Sequence, residues 1–372
     1  MTKQTAFHNK TSALKAEYVE VFGYDIPQEF KSSTVLDEYK SVREKVGVID
    51  LSYLPKIEIL GPDAETLCQT VFTRNIKKMG CKSIVYTAIC NEDGGMIDDG
   101  TLFRNCENTF RFVCGFPETI EHISKVAKDM ELKVIVKDAT ELYANIAIQG
   151  PNSRELLDKV IWMSAHDPKP SKMQPFVLAP ARLNYDNGTP LVISRTGYSG
   201  ELGYEIWCGK DAAEEIWDTI FEAGKEYGIQ PFGLGALDLL RVEAGLIFGG
   251  YEFDTETDPF EAGIGYVAPM KSKPDNFIGK SAIEKRIASP KKALIGLELD
   301  SEVAGGDEIQ VDGKTVGKIT SAIFSPLLNK NIAMAFVEPN HKEIGTKVSV
   351  GSVAGVVVEK PFYDPTRSRM RG

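Results

Sequence analysis

IQGPNSRELLDKV, residues 148–160, repeats the pattern of ILGPDAETLCQTV, residues 59–71. In both segments an apolar strand end is followed by Gly-Pro and then by residues with the apolar spacing of a helix. The recurrence indicates two similar α+β halves in a pseudo-symmetric arrangement. Two ordinary strand-to-helix turns would produce the same local match, and the residues alone leave that alternative open.

The regions around these two segments alternate between strand and helix patterns. This alternation ends at a charged, Lys-rich segment near residues 280–291. Strand-like SIVYTAIC (residues 83–90) precedes the helical pattern of PETIEHISKVAKDM (residues 117–130). After the charged segment, short β-rich runs are separated by Gly, Asp or Asn turns, which is typical of a small barrel. The sequence therefore predicts an α+β region made of two lobes over residues 1–280 and a β-barrel domain over residues 281–372.

Composition excludes several classes of protein. The chain has 372 residues, which at about 150 residues per domain predicts two or three units. Its formal charge of −10 argues against a general nucleic-acid or anionic-membrane surface. No apolar run reaches the roughly 20 residues of a membrane span, and no signal-peptide pattern follows the first residues, so a cytoplasmic location is expected. The oligomeric state is left open.

Cysteine and histidine patterns give no support to a metal site or a nucleophilic triad. The six cysteines form no CxxC pair, and none of the four histidines has metal-ligand spacing. No GxSxG elbow is present either. We therefore expect no metal, and the carboxylates are the remaining candidates for catalytic and binding residues.

Glu205 lies at the centre of the strand-like run GYEIW within SRTGYSGELGYEIW (residues 194–207). Side chains alternate along a strand, so Glu205 points away from the face of Tyr204 and Ile206. It can therefore face a cleft, or it can be the solvent-facing residue of a half-exposed strand.

Asp98 and Asp99 are adjacent acids in MIDDG. Neighbouring strand residues point to opposite faces, so only one of the two carboxylates can enter a given site. The other is expected to be structural, with the NEDGG turn (residues 91–95) as the place that it caps. An exposed turn acid is the alternative for both.

Seven segments together resemble the aminomethyltransferase family, which comprises the T-protein of the glycine cleavage system and its folate-dependent relatives. They occur in the order of the family and span nearly the whole chain. The segments are YTAICNEDGGMIDD (86–99), IAIQGPNS (146–153), SRTGYSGELGYEIW (194–207), PFGLGALDLLRVEAG (231–245), DPFEAGI (258–264), FIGK (277–280) and KPFYDP (360–365). The resemblance implies a three-domain, cloverleaf-like fold with tetrahydrofolate in a central channel.

The resemblance also implies roles for particular residues. Glu205 matches the carboxylate that accepts two hydrogen bonds from the pterin, and Asp99 matches the functional carboxylate near the folate nitrogens that accept the one-carbon unit. Tyr198 and Tyr86 match tyrosines near the folate, although lone aromatic residues are commonly core packing. Arg241 matches a family arginine, although a helical arginine is commonly part of a salt bridge.

Two departures from the family pattern concern the one-carbon donor. Leu237 stands where T-proteins usually have an arginine, and Tyr53 replaces the histidine of the family segment DVSHM. These two residues are therefore candidates for the substrate pocket. ALDLLRVEAG and FYDPTRSRMR are also similar to the folate domains of sarcosine and dimethylglycine dehydrogenases, but no GxGxxG dinucleotide fingerprint is present.

Three functions are compatible with these features. The first is an aminomethyltransferase that moves a methylene unit to tetrahydrofolate and releases ammonia, with a lipoyl carrier protein as partner. The second is a tetrahydrofolate-dependent demethylase that acts on a small N-, O- or S-methyl compound and yields 5-methyltetrahydrofolate. The third is a non-catalytic folate-binding or iron–sulfur-assembly relative, which the absence of a KGCYxGQ segment disfavours. The sequence favours an enzyme, with the first function slightly ahead.

Overall fold

Both Gly-Pro turns join a buried strand to a helix in the computed structural model, which describes residues 2–371. Gly61 and Gly150 adopt nearly the same backbone conformation, with φ of +132° and +125°. A Cβ atom on either glycine would lie 2.6 Å from a carbonyl oxygen, that of Lys133 or that of Lys45. Only glycine fits such a turn without strain. The predicted strand–Gly-Pro–helix units are confirmed.

The chain first forms an N-terminal hairpin and helix, then the first lobe. These elements are α1 (His8–Ala13), β1 (Ala16–Val21), β2 (Tyr24–Phe30), α2 (Val35–Glu44), β3 (Val46–Asp50), β4 (Lys56–Leu60), α3 (Ala64–Val71), β5 (Ser83–Cys90), β6 (Met96–Cys106), β7 (Thr109–Cys114), α4 (Thr119–Asp129) and β8 (Ile135–Asp138). Helix α2 begins at Thr34, whose hydroxyl accepts a hydrogen bond from the Asp37 backbone while the Asp37 carboxylate accepts one from the Thr34 backbone. This capping box explains why the helix starts there.

The second lobe and the C-terminal part follow. The second lobe consists of β9 (Tyr143–Gln149), α5 (Ser153–Val160), β10 (Ile161–Trp162), β11 (Leu178–Leu183), β12 (Pro190–Ser194), β13 (Gly203–Gly209), α6 (Ala213–Gly224), β14 (Ile229–Pro231) and α7 (Leu234–Glu243). The C-terminal part consists of α8 (Lys280–Ala288), β15 (Ala293–Leu299), β16 (Glu308–Val311), β17 (Lys314–Ser325), β18 (Lys330–Val337), β19 (Lys347–Val350), β20 (Val353–Val358) and α9 (Ser368–Arg371).

The two lobes share a common core of strand, helix, three-stranded meander and helix. The first contains a five-stranded sheet in the order β5-β6-β7-β4-β8, and the second a seven-stranded sheet in the order β10-β11-β12-β13-β9-β3-β14. In each lobe a strand before the Gly-Pro turn (β4 or β9) pairs with the last strand of a three-stranded antiparallel meander. A helix (α4 or α6) follows each meander. The two related α+β lobes are therefore confirmed.

One face of each sheet is covered by its own helices, and the opposite faces of the two sheets meet each other. The meeting point is the edge-to-face contact of Phe103 on β6 with Trp207 on β13, whose ring centroids are 5.3 Å apart. Ile84, Val113 and Leu178 complete this buried apolar cluster. We call the region beyond this cluster, between the two inner faces, the inter-sheet cleft.

The last six strands close into a barrel in the order β15-β18-β17-β16-β19-β20, which confirms the predicted C-terminal β-barrel. The barrel docks on both lobes. One apolar cluster joins Ala88 of the first lobe to Val242 of α7 and Met334 of the barrel. The predicted domain boundary at residue 281 stays a prediction. Within residues 2–371, no helix combines the length and the apolar character that crossing a bilayer requires.

A buried ionic network ties the barrel to the second lobe. Glu243 at the end of α7 is fully buried and accepts hydrogen bonds from Arg43 (2.7 Å), Tyr39 (2.7 Å) and Ser325 of the barrel (2.5 Å). Arg43 also contacts Glu201 at 3.1 Å. Since a buried charge must be paired to be tolerated, this network fixes the position of the barrel relative to α7.

Candidate functional site

Asp98 and Asp99 point to opposite faces of β6, as the alternation predicts. The Asp98 side chain is fully buried. Its carboxylate accepts hydrogen bonds from the backbone N–H groups of Asp99 (2.8 Å), Gly115 (3.0 Å) and Phe116 (3.1 Å) and from the Thr119 hydroxyl (2.5 Å). The expectation that Asp98 caps the NEDGG turn is wrong, because these donors place it at the junction of β7 and α4. Asn91 caps the turn instead, through its bond with the Gly95 backbone at 2.9 Å.

Asp99 is half-buried on the inner face of the first sheet and accepts a hydrogen bond from the Tyr86 hydroxyl. Burial raises the pKa of Asp99 to about 7, and the negative charge of Asp98 adds to the increase. The hydrogen bond from Tyr86 acts in the opposite direction because it stabilises the anion. Asp99 can therefore both hold and release a proton near neutral pH, which is the property required of a general acid or base.

Tyr86 and Tyr198 lie near this carboxylate, and Tyr266 lies beside Tyr86. Tyr86 and Tyr266 have ring centroids 6.3 Å apart, and the Tyr198 hydroxyl donates to the carbonyl of Ile247. Burial raises the pKa of both Tyr86 and Tyr198 well above the usual value, and the charge of Asp99 contributes to each increase. The phenols are therefore neutral at physiological pH. The structure brings Tyr86, Tyr198 and Asp99 together.

Glu205 projects from β13 on the same face as Trp207, towards the first lobe. Tyr204 and Ile206 are fully buried in the core on the other face, so the alternation argument is confirmed. The Glu205 carboxylate is half-buried and accepts a long hydrogen bond from the Asn145 amide at 3.4 Å. Burial raises the pKa of Glu205, while the Thr196 hydroxyl, the bond from Asn145 and, last, the positive charge of Lys56 act against the increase.

The amide oxygen of Asn145 is an unsatisfied acceptor beside Glu205. It is buried and has no hydrogen-bond partner among residues 2–371. Buried polar atoms in proteins are nearly always hydrogen-bonded, so an unsatisfied one at a cleft indicates a missing donor.

Asp99 and Glu205 line the same inter-sheet cleft. In the first sheet Thr101 is paired with Val113, and Val113 with Lys56. Asp99 is two residues along the strand from Thr101 on the same face, a distance of about 7 Å. The ammonium of Lys56 is close enough to Glu205 for each charge to affect the pKa of the other. The two carboxylates therefore lie on the facing sides of the two sheets, with Asp99 on the first lobe and Glu205 on the second.

Arg241 is buried and satisfied by protein groups. It donates to Asp238 (2.8 Å), Glu252 (2.8 Å) and Ser321 of the barrel (2.8 Å). Its positive charge also reaches Tyr198, whose pKa it lowers. These contacts make Arg241 a bridge between α7 and the barrel, and its assignment to folate binding stays a prediction.

Leu237 and Tyr53 are brought together in one apolar cluster, which also contains Ala147, the cross-strand partner of Glu205. Tyr53 is buried and Leu237 half-buried. The pair therefore lies on the Glu205 side of the cleft. Its role as a substrate pocket stays a prediction.

Sequence reasoning missed Lys56, Asn145 and Tyr266. The alternation in KIEIL places Lys56 and Glu58 on one face of the strand. If both faces of that strand are buried, these two charged residues need partners, and this was the available signal. Asn145 and Tyr266 gave no signal in the sequence, because each becomes notable only through a neighbour that is distant in the chain.

We expect Tyr86→Phe to move the acid limb of the pH–rate profile to higher pH by up to about one unit. The Asp99 anion is the form expected to be active, so activity should fall as pH falls through about 7. Removing the Tyr86 hydroxyl removes a donor that stabilises this anion, and the pKa of Asp99 rises further. The measurement is kcat against pH with saturating substrates.

Tyr198→Phe is the matched control, because its hydroxyl donates to the Ile247 carbonyl and not to Asp99. That variant can change KM but should leave the acid limb in place. Equal shifts in the two variants, or no shift in Tyr86→Phe, would show that the hydrogen bond to Asp99 does not set the limb.

Comparisons with known proteins agree with this architecture. Residues 7–272 match the model of the GCVT N-terminal domain, and residues 292–364 match that of the glycine cleavage T-protein C-terminal barrel domain. The chain is similar over 98% of its length to the crystal structure of glycine cleavage system aminomethyltransferase T from Bartonella henselae, covering 99% of that chain, with a TM-score of 0.86 at 23% identity. This likeness confirms the fold.

Two curated relatives are similar in sequence. An aminomethyltransferase of Clostridium botulinum is 37% identical, with 93% of each chain covered. A trimethylamine-oxide aldolase of Ruegeria pomeroyi is 47% identical over 100% of this chain but only 48% of the relative, so this chain spans about half the length of that protein. The family matches and these relatives show that the chain belongs to the glycine cleavage T-protein family of enzymes.

Proposed function

We propose that the chain is a tetrahydrofolate-dependent one-carbon transferase, and specifically an aminomethyltransferase that moves a methylene unit to tetrahydrofolate and releases ammonia. The observation that carries the proposal is the placement of Glu205 and Asp99 on either side of one cleft. Membership of a family that is generally folate-dependent supports it.

The acceptors at the Glu205 end fit a pterin. A pterin has a 2-amino group beside a ring N–H, so it can donate two parallel hydrogen bonds to one carboxylate, and such charge-assisted pairs are strong. The unsatisfied amide oxygen of Asn145 provides a further acceptor beside that carboxylate. Glu205 must be ionised to accept both bonds, and Lys56 favours the ionised form.

Tetrahydrofolate supplies the amine nitrogens that accept the one-carbon unit. Asp99, held by the Tyr86 hydroxyl, is placed to take up the proton that such an amine loses and to stabilise positive charge that develops beside it. Its pKa of about 7 lets it exchange this proton with solvent between turnovers. Tyr198 provides an apolar ring face for the ligand near Asp99.

A tetrahydrofolate-dependent demethylase is the second candidate, and two observations favour it. Leu237 and Tyr53 replace the charged and ionisable residues that T-proteins usually have, and the structure places them in one apolar cluster. In addition, the relative that is 47% identical is named for an N-methylated compound. In this alternative the donor is a small N-, O- or S-methyl compound and no lipoyl carrier protein docks.

The experiment that decides between them uses purified protein, tetrahydrofolate and a panel of donors. The panel contains an aminomethyl-loaded lipoyl carrier protein and N-, O- and S-methyl compounds, and the folate product is identified by its mass. Methylene-tetrahydrofolate with ammonia establishes the aminomethyltransferase, and 5-methyltetrahydrofolate establishes the demethylase. If none of these donors yields a folate product, the proposal of a one-carbon transferase is contradicted for this panel.

A further inference from the structure

Lys56, the first residue of β4, is a fully buried lysine at the floor of the cleft. Its ammonium donates to the carbonyl oxygens of Leu54 (2.7 Å), Ser52 (3.0 Å) and Leu51 (3.5 Å). These three carbonyls belong to the turn that carries Tyr53. The three donors of a lysine ammonium are thus all used to hold one turn.

Hydrogen bonds connect this turn to Glu205. The Ser52 hydroxyl accepts a bond from the Asn145 backbone N–H at 3.0 Å and donates to the Asn145 carbonyl at 3.3 Å. The Asn145 side chain then donates to Glu205 at 3.4 Å. Lys56 is therefore the start of a chain of contacts that runs through Ser52 and Asn145 to Glu205.

The charge of Lys56 also faces Glu205. The ammonium lies 5.8 Å from the ring of Trp207, which is two residues from Glu205 on the same face. The ionisable groups around it are Asp50, Arg111, Glu205 and Cys114. Burial lowers the pKa of Lys56 to about 7, so it carries its charge most fully below neutral pH. That charge lowers the pKa of Glu205.

We infer that Lys56 is a positioning residue that holds the Leu51–Leu54 turn and keeps Glu205 as an anion facing the cleft. Its consequence for folate rests on the proposed function, because only a ligand with paired N–H donors needs the anionic form of Glu205. The effect on Glu205 itself does not depend on that function and is measurable without a ligand.

Lys273 offers a matched control within the same chain. It is also fully buried, and its ammonium also donates to three carbonyl oxygens, those of Gln69 (2.6 Å), Phe72 (2.6 Å) and Arg74 (2.9 Å). Burial lowers its pKa to about 7 as well, but Glu205 is not among the charges that affect it. Lys56→Met and Lys273→Met therefore leave similar sets of carbonyls unsatisfied, and only the first removes a charge beside Glu205.

The first readout is the titration of the Glu205 carboxyl carbon by NMR in ligand-free protein, with Glu205→Gln to assign the signal. Lys56→Met should raise the titration midpoint of Glu205, and Lys273→Met should leave it unchanged. No difference between the two variants would overturn the inference. If Lys56→Met does not fold, wild-type protein provides the test, because the Glu205 signal should show a second inflection as Lys56 loses its proton, and its absence would overturn the inference.

The second readout is the affinity for tetrahydrofolate at pH 6, where Lys56 is charged in the wild type. Lys56→Met should bind more weakly, by at most a factor of about ten for each pH unit by which the midpoint rises, because the rise lowers the fraction of Glu205 that is ionised at this pH. Lys273→Met should bind normally. If wild-type protein does not bind tetrahydrofolate while the Glu205 midpoint still shifts, the proposed function fails and the role of Lys56 stands. If wild-type protein binds and both variants bind equally well, the role of Lys56 fails alone.

Discussion

Asp99→Asn is expected to lower turnover on the order of 10²-fold and to leave the affinity for tetrahydrofolate nearly unchanged. The amide keeps the size of the carboxylate but can neither carry its charge nor take up a proton. Removing one preorganised group that stabilises charge in a transition state has an effect of this size, about 3 kcal/mol. The loss should appear in kcat and equally in kcat/KM, since the interaction is made in the transition state.

The structure supplies a control for this variant. Asp93 is an exposed acid in the turn that precedes β6, so Asp93→Asn changes the formal charge of the same region without entering the cleft. Its turnover should match that of the wild type. If Asp99→Asn also retains wild-type turnover, Asp99 has no part in the mechanism.

Glu205→Ala is expected to weaken the binding of tetrahydrofolate by roughly 2–4 kcal/mol, or about 30- to 700-fold in Kd. Truncation removes the anionic acceptor and leaves the two pterin donors without a partner in a site partly closed to water. Leaving one side of a buried charged pair unpaired costs more free energy than replacing both sides by apolar groups. Isothermal titration at constant salt and pH measures the change.

An acid outside the cleft provides the comparison. Glu222 on α6 is exposed and pairs with Lys225 on the surface, so Glu222→Ala should bind tetrahydrofolate as the wild type does. A Glu205→Ala variant that binds as tightly as this control would make Glu205 the solvent-facing residue of a half-exposed strand.

Local patterns predicted the parts of the fold that depend on neighbours in the chain. The Gly-Pro turns and the two faces of β13 both follow from residues within a few positions of each other. The repeated segment at residues 59–71 and 148–160 predicted two related lobes because the same turn conformation requires the same glycine.

Partners that are distant in the chain could not be predicted. Asp98 receives its donors from the end of β7 and the start of α4, whereas the sequence alone pointed to the nearer NEDGG turn. Arg241 donates to Ser321, a contact that depends on how the barrel docks. The burial of Lys56 depends on both sheets at once, so the alternation in KIEIL could indicate a charged face but not that this face is buried.

A crystal structure of the protein with tetrahydrofolate tests the central claim most directly. The account predicts that the ligand lies between the two sheets, with the pterin N–H donors on the Glu205 carboxylate, the Asn145 amide oxygen newly hydrogen-bonded, and the one-carbon-accepting edge facing Asp99. Folate bound elsewhere on the chain, or in the cleft with its pterin away from Glu205, would contradict it.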